Sequence, residues 1–273
     1  RAMEDKGGGQ AIFTQPPMPI KCAGAPQKAM YLAADWWHKN QTLINTDIQF
    51  YAAGPSLFGV PQFVPALMGY VQRYGINLNF QHKLVQVDGQ SQTAWFEKTA
   101  PDGSCSTVQQ RFDMLHAVPP QKAPDFIRNS PLVDASGWVA VDPATLQHLH
   151  YPNIFALGDV AGTSNAKTAA AARQQAPVVA CNLLAHRAGK ACTARYRGYG
   201  ACPLTVERGK VVLAEFGYGG ELQPTFPQWL IDGQKPSRLA WLLKERILPP
   251  IYWSAMLKGK EWLAKPLLQD RVD

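Results

Sequence analysis

The chain has 273 residues, 46% hydrophobic and 17% charged, enough for a sizeable core and far from the composition of a disordered segment. Its net charge of +7 invites a nucleic-acid partner, yet the basic residues are scattered and no recognition-helix or RNA-binding motif accompanies them. No nucleic acid is expected, and an anionic membrane surface suits the charge better. The five cysteines, at 22, 105, 181, 192 and 202, form no CxxC pair, match no zinc spacing and are odd in number, which argues against a metal site and against a secreted disulfide framework.

Taken in chain order, Lys6-Gly7-Gly8-Gly9 precedes a strand and so reads as a turn, not a phosphate loop. Gln10 to Thr14 reads as that strand, ending in the turn Pro16-Pro17-Met18-Pro19. A helix follows from Ala25 or Pro26 to His38, since Pro suits a first helical turn. Asp47 to Ala52 reads as a buried strand. Pro61 to Tyr74 reads as a helix with Phe63, Leu67, Tyr70 and Val71 on one face, and Ile76 to Phe80 as the next strand. This β-α-β-α-β rhythm predicts a parallel sheet of the doubly wound type. Residues 83 to 116 predict an antiparallel excursion, Leu84 to Val87, Thr93 to Glu97 and Thr107 to Phe112, turning at Pro101-Asp102-Gly103.

Three segments carry chemistry. In Lys21-Cys22-Ala23-Gly24-Ala25-Pro26-Gln27-Lys28 a strand passes into a helix where a nicotinamide-binding turn would hold GxGxxG. Here a cysteine occupies the turn. A thiol at a helix N-terminus between Lys21 and Lys28 makes a good nucleophile, and a buried structural cysteine is the competing reading. In Tyr151-Pro-Asn-Ile-Phe-Ala-Leu-Gly158-Asp159 an apolar strand is expected to end in Gly-Asp, leading through Val160 to Lys167 into a helix from Thr168 to His186. Asp159 could bond a sugar hydroxyl, and the helix N-terminus with Lys167 offers positive potential to an anion. In Tyr196-Arg-Gly-Tyr-Gly-Ala-Cys202-Pro203-Leu204, Pro203 places Cys202 in an ordered turn. Two thiols near a flavin can open and close a disulfide or hold sulfur between them.

PIKCAGAPQKAMYL, YPNIFALGDVAGTSNAKTAAAARQQAP and YGACPLTVERGKVVLAEFGYGGELQPTFP resemble, in this order, the sulfide:quinone oxidoreductases of mitochondria and many bacteria. The resemblance runs from about Gly8 to Trp262; the Gly158-Asp159 phrase is shared with the wider superfamily of flavoproteins with two dinucleotide-binding domains. It implies an α/β fold: a glutathione-reductase-like flavoprotein without its N-terminal FAD-binding βαβ unit and with C-terminal amphipathic helices. It implies a redox-cysteine domain over residues 1–120, the C-terminal part of an FAD-binding domain over 121–234, and membrane-associating helices over 235–273. Cys22 and Cys202 match the two cysteines that carry sulfane sulfur. Gly158, Asp159, Lys167, Thr168 and Lys28 are the implied FAD-contacting positions. The implied partners are hydrogen sulfide, a membrane quinone, a sulfane-sulfur acceptor and the membrane surface. The implied location is peripheral, on the mitochondrial inner membrane or the cytoplasmic face of a bacterial one.

The chain departs from that pattern in having no GxGxxG with an acidic residue about 20 positions on. With its Arg-Ala-Met start, this predicts an incomplete product whose hold on FAD is weak. An NADH:quinone reductase would require a GxGxxG in the second dinucleotide domain and no Cys202. A non-enzymatic fragment would show no flavin spectrum. His148 and His150 read as packing residues in preference to metal ligands, and Cys105, Cys181 and Cys192 as structural.

The C-terminal part adds a separate clue. Leu239, Leu242, Leu243 and Ile247 share one face of a helix that Pro249-Pro250 is expected to break. Four of the eight tryptophans (229, 241, 253 and 262) lie in this end of the chain, and from residue 235 on eight Lys/Arg stand against four Asp/Glu. Trp with Lys on short amphipathic helices suits the bilayer interface, with Tyr252 and Trp253 as candidates to line a quinone path. The longest apolar stretch, Ile247 to Leu257, is too short to span a bilayer.

Overall fold

The computed structural model describes residues 2–260 and 262–268; of the charges counted beyond residue 235, those at 261 and 269–273 lie outside them. The chain divides into two units, one of residues up to 121 with 203–214 and 228–241, the other of residues 122–202 and 215–227 with 242 onward.

Unit one begins with a short helix α1 (Ala2–Asp5) and a glycine turn. Gly8 and Gly9 have φ of 128° and 131°, and a Cβ on Gly8 would overlap the backbone of Asn45, so this turn is set by close packing. The chain then alternates β1 (Gly9–Gln15), α2 (Ala25–Lys39), β2 (Thr46–Ala52), α3 (Val64–Arg73) and β3 (Asn77–Phe80). After β4 (His82–Asp88), β5 (Thr93–Thr99) and β6 (Cys105–Arg111), β7 (Met114–His116) returns beside β1. The parallel sheet runs β3-β2-β1-β7, with Phe13 opposite Phe50.

Strand alternation gives the sheet two apolar faces. Phe13 meets Trp37 of α2, and Tyr31 of α2 meets Tyr70 of α3 edge-on at 6.3 Å, so the helices share one face. Ile12 and Tyr51 face the other way and pack on Ala94 and Phe96, with Tyr51 stacked on Phe96 at 4.0 Å. The antiparallel sheet β4-β5-β6 therefore takes the place of the second helix layer that a doubly wound sheet would carry. Its turn falls at residues 101–103, where the sequence suggested.

Unit two starts with α4 (Asp125–Arg128) and centres on α5 (Ala169–Arg187). Val139, Leu146, Ala156, Ala171, Val178 and Tyr196 form its core. The expected strand over 151–157 does not form. The Pro152-Asn153 turn folds the segment back: Ile154 accepts from the His148 N–H, the Ala156 N–H donates to Leu146, and Phe155 makes an isolated bridge with Gln147.

Strand β8 (Ala194–Arg195) leads to β9 (Gly200–Glu207), which pairs with β10 (Lys210–Phe216) in a two-stranded sheet. Cys202 is thus a strand residue and not a turn residue; Pro203 is tolerated because a two-stranded sheet has free edges. Helix α6 (Arg238–Leu242) runs through a π-helical turn at Leu243–Ile247 into α7 (Leu248–Ser254). Pro249 and Pro250 do not end the helix. They stand in the first turn of α7, where a missing N–H is least costly, and the wider π turn absorbs the mismatch. Among the described residues no helix is long and apolar enough to cross a membrane. Strand β11 (Leu267–Leu268) pairs antiparallel with β8.

Candidate functional site

Cys22 lies in the turn that enters α2. The Lys21 N–H donates to Gln121 Oε1 at 2.6 Å, and the Cys22 carbonyl accepts from the Ala25 N–H at 2.7 Å. Between these anchors Cys22 adopts a φ of +87°, a left-handed conformation costing a non-glycine residue about 1–3 kcal/mol. Lys28, one turn into α2, donates from Nζ to Cys22 Sγ at 3.6 Å. Cys22 is half-buried, with the N-terminal end of a 15-residue helix close behind it. A cation and a helix N-terminus both favour the thiolate, the form that attacks sulfur. Lys28, expected to touch a cofactor, is a partner of the thiol.

In unit two, Gly158 has a φ of +66° and a Cβ there would lie 3.7 Å from Ala172 Cβ, so the loop runs close over the start of α5. Its N–H donates to Gln175 Oε1 at 2.6 Å, a fixing bond that sequence alone did not reveal. Asp159 is exposed. Thr168 caps α5, its hydroxyl accepting from the Ala171 N–H at 3.1 Å. Lys167 is buried at 4% exposure; its Nζ donates to the Ala161 carbonyl and sits 4.2 Å from the centre of the Trp138 ring. Its charge therefore acts from within the fold and not as an open surface ligand. An exposed carboxylate thus stands beside the N-terminus of a 19-residue helix, a pair suited to a hydroxyl and to an anionic group.

Cys202 is fully buried. Gly200, two residues before it, comes against the α5 cap: a Cβ there would lie 3.7 Å from Thr168 Oγ1. Asn165 donates to the Tyr196 hydroxyl, which donates to the Tyr199 carbonyl at 2.6 Å, tying the loop before α5 to the segment entering β9.

All five cysteines are in the thiol form. Burial pushes the Cys192 thiol up, with Arg195 offsetting part of the rise, and its Sγ donates to the Asn182 carbonyl at 3.6 Å. Cys181 packs against the unit-two core, and Cys105 opens β6 on the surface. His148 accepts on Nδ1 from the His150 and Tyr151 N–H groups and lies 3.0 Å through Nε2 from the Leu132 carbonyl, so its ring is spent on packing the loop. Among the described residues no three His, Cys, Asp or Glu side chains gather to hold a metal. Tyr252 and Trp253 meet edge-on at 5.1 Å, Trp253 with 66% exposure.

No protein-family model matches the chain. Curated relatives do. The mitochondrial sulfide:quinone oxidoreductase of Dictyostelium discoideum is 41% identical over 264 residues, 96% of this chain and 56% of that protein. Its namesake in Schizosaccharomyces pombe is 40% identical over 95% of this chain and 57% of that protein. The one in Mus musculus is 36% identical over 95% and 56%. The chain spans somewhat more than half the length of these relatives. Among solved structures, the sulfide:quinone oxidoreductase of Aquifex aeolicus superposes with a TM-score of 0.69 at 15% identity, covering 99% of this chain and 66% of that one. A chain of the Tetrahymena thermophila mitochondrial ATP synthase gives 0.74 at 22%, covering 94% and 62%. At these identities the two superpositions speak for the fold alone.

Proposed function

We propose that this chain, a homologue of the sulfide:quinone oxidoreductases with their α/β fold, carries the sulfur-handling part of such an enzyme, acting on hydrogen sulfide through Cys22 and Cys202 and passing electrons by way of FAD to a membrane quinone. The observation that carries the reading is Cys22 itself: a non-glycine residue held at φ +87° at a helix N-terminus with an ammonium 3.6 Å from its sulfur. Strain of this kind persists where surroundings over-determine it, and such places are commonly functional.

In the chemistry, hydrosulfide attacks a disulfide between Cys22 and Cys202. One S–S bond breaks and one forms, leaving one cysteine as a persulfide and the other as a thiolate, while the proton of the hydrosulfide is released. Lys28 holds charge beside Cys22 through this exchange, and burial shields Cys202 from competing thiols. Asp159 and the N-terminus of α5 would hold FAD, which when bound supplies the acceptor for two electrons. The sulfane sulfur leaves to a small acceptor. In this reading residues 1–120 are the redox-cysteine domain, 121–234 the C-terminal part of an FAD-binding domain, and 235–273 the membrane-associating part of a glutathione-reductase-like flavoprotein. The exposed apolar residues of the C-terminal helices, Trp253 and Tyr252 among them, seat the enzyme peripherally on the membrane where a quinone is available.

The test is sulfide-dependent quinone reduction by the intact protein. Cys22→Ser and Cys202→Ser should each lower the rate by two orders of magnitude or more, on the order of what removing a nucleophile costs. Near-normal turnover in both would remove the assignment.

A further inference from the structure

Unit two carries an open pocket of about 440 Å³ lined by none of the sulfur- or flavin-handling residues above. One wall is α5, through Gln174 and Val178. A second is the chain from β8 towards β9, and a third is the segment around Glu221 and Gln223. A C-terminal strap borders it. Arg173 donates to the Trp262 carbonyl, Gln174 Nε2 donates to the Leu263 carbonyl at 3.0 Å, and β11 pairs with β8.

The lining charges are unequal. Arg195, Arg197 and Lys265 face the same space, against Glu221 as the one carboxylate. Arg195 is fastened, its Nη1 donating to the Cys192 carbonyl at 2.6 Å. The backbone of Arg197 is fixed by Gln223 Nε2, which donates to its carbonyl at 3.3 Å. Among the described residues neither Arg197 nor Lys265 is in an ion pair, so two cations stand at a concave site without an acidic partner. Two exposed leucines, Leu263 at 72% and Leu267 at 51%, stand among the lining residues.

We propose that this cavity binds a phosphate group, that of an anionic phospholipid headgroup or of a free phosphate, with Arg197 and Lys265 as its ligands and Arg195 as a fixed third charge. A guanidinium and an ammonium together suit a phosphate's several oxygens, and the volume lies in the range of small-molecule sites. The exposed leucines Leu263 and Leu267 give acyl chains a place to lie. The lipid source rests on the membrane reading above; the phosphate site itself does not.

The experiment uses the intact protein with vesicles of phosphatidylcholine alone or doped with phosphatidylglycerol, and inorganic phosphate followed by tryptophan fluorescence. If a lipid headgroup is the source, R197Q/K265Q should bind the doped vesicles about thirtyfold more weakly, the product of two lost surface charges. R197K/K265R, which keeps the charge, should bind as the wild type does. K98Q/R111Q, which loses the same charge at exposed positions of β5 and β6 in unit one, should also be unaffected. If free phosphate is the source, vesicle doping has no effect, but phosphate gives a saturable signal in the wild type that R197Q/K265Q lacks. Loss of vesicle binding in K98Q/R111Q as large as in R197Q/K265Q would overturn the site, as would the absence of both responses. Equal attachment of every variant to doped and undoped vesicles, with no phosphate signal, would leave the membrane reading standing while the site falls.

Discussion

At the scale of single residues, charge placement separates the cysteines. Cys22 has Lys28 at 3.6 Å and a helix N-terminus behind it, whereas Cys192 is pushed towards its neutral form by burial. Burial is the largest single influence at Asp35 of α2 too, but there the bonds together outweigh it. Desolvation alone would raise this carboxyl. Lys39 Nζ at 2.6 Å, the Arg208 N–H at 3.0 Å and the Tyr74 hydroxyl at 3.3 Å outweigh it and hold the group below its ordinary range. A folded value below the unfolded one means stability that is fully present above the unfolded pKa of about 4 and is lost as the pH falls through the folded value. Asp35→Asn should therefore cost about 1–3 kcal/mol in urea denaturation at neutral pH. The gap to the wild type should close as the pH drops below about 4. A gap that is the same at neutral and acid pH would show that the carboxylate is not the source.

At the scale of elements, the C-terminal helices present apolar side chains outward while burying little. Trp253 and Leu257 are 66% and 56% exposed, and in α6 Ala240 is the buried residue. Their charges and aromatics suit the bilayer interface, so Trp253→Glu with Leu257→Glu should weaken sedimentation of the intact protein with neutral vesicles at least tenfold, two apolar anchors being replaced by charges. Unchanged sedimentation would place the membrane contact on another element.

The helices and strands between residues 9 and 111 were legible because each carries its own signal. Phe63, Leu67, Tyr70 and Val71 recur at helical spacing, Pro26 stands in a first turn, and Asp102-Gly103 marks a hairpin. What escaped depends on partners. Tyr151–Leu157 is apolar enough for a strand, but its N–H and C=O groups are taken by residues 146–148 just before it. Cys202 looks like a turn residue beside Pro203 until β10 supplies an edge to pair with. Pro249-Pro250 ends a helix by propensity and is absorbed by a π turn that no local pattern announces. Of the candidate site, Cys22, Cys202, Asp159 and Thr168 could be nominated from the sequence. The positive φ of Cys22, the Gln175 bond to Gly158 and the burial of Lys167 over Trp138 were not, since each is set by tertiary packing.

At the scale of the whole molecule, the chain spans somewhat more than half the length of its curated relatives. What this chain contributes in the proposed account is selective sulfur chemistry at two of its five cysteines. Exposure and chemistry give opposite expectations for them. Cys105 is the exposed thiol and Cys202 is fully buried, so a merely accessible site and a functional one are separable. The direct measurement is peptide mapping by mass spectrometry of the intact protein after turnover with sulfide and quinone, with a label that traps persulfides. The account predicts added sulfur on the Cys22 or Cys202 peptide and none on those of Cys105, Cys181 and Cys192. Added sulfur confined to Cys105, or absent from both Cys22 and Cys202, would contradict it.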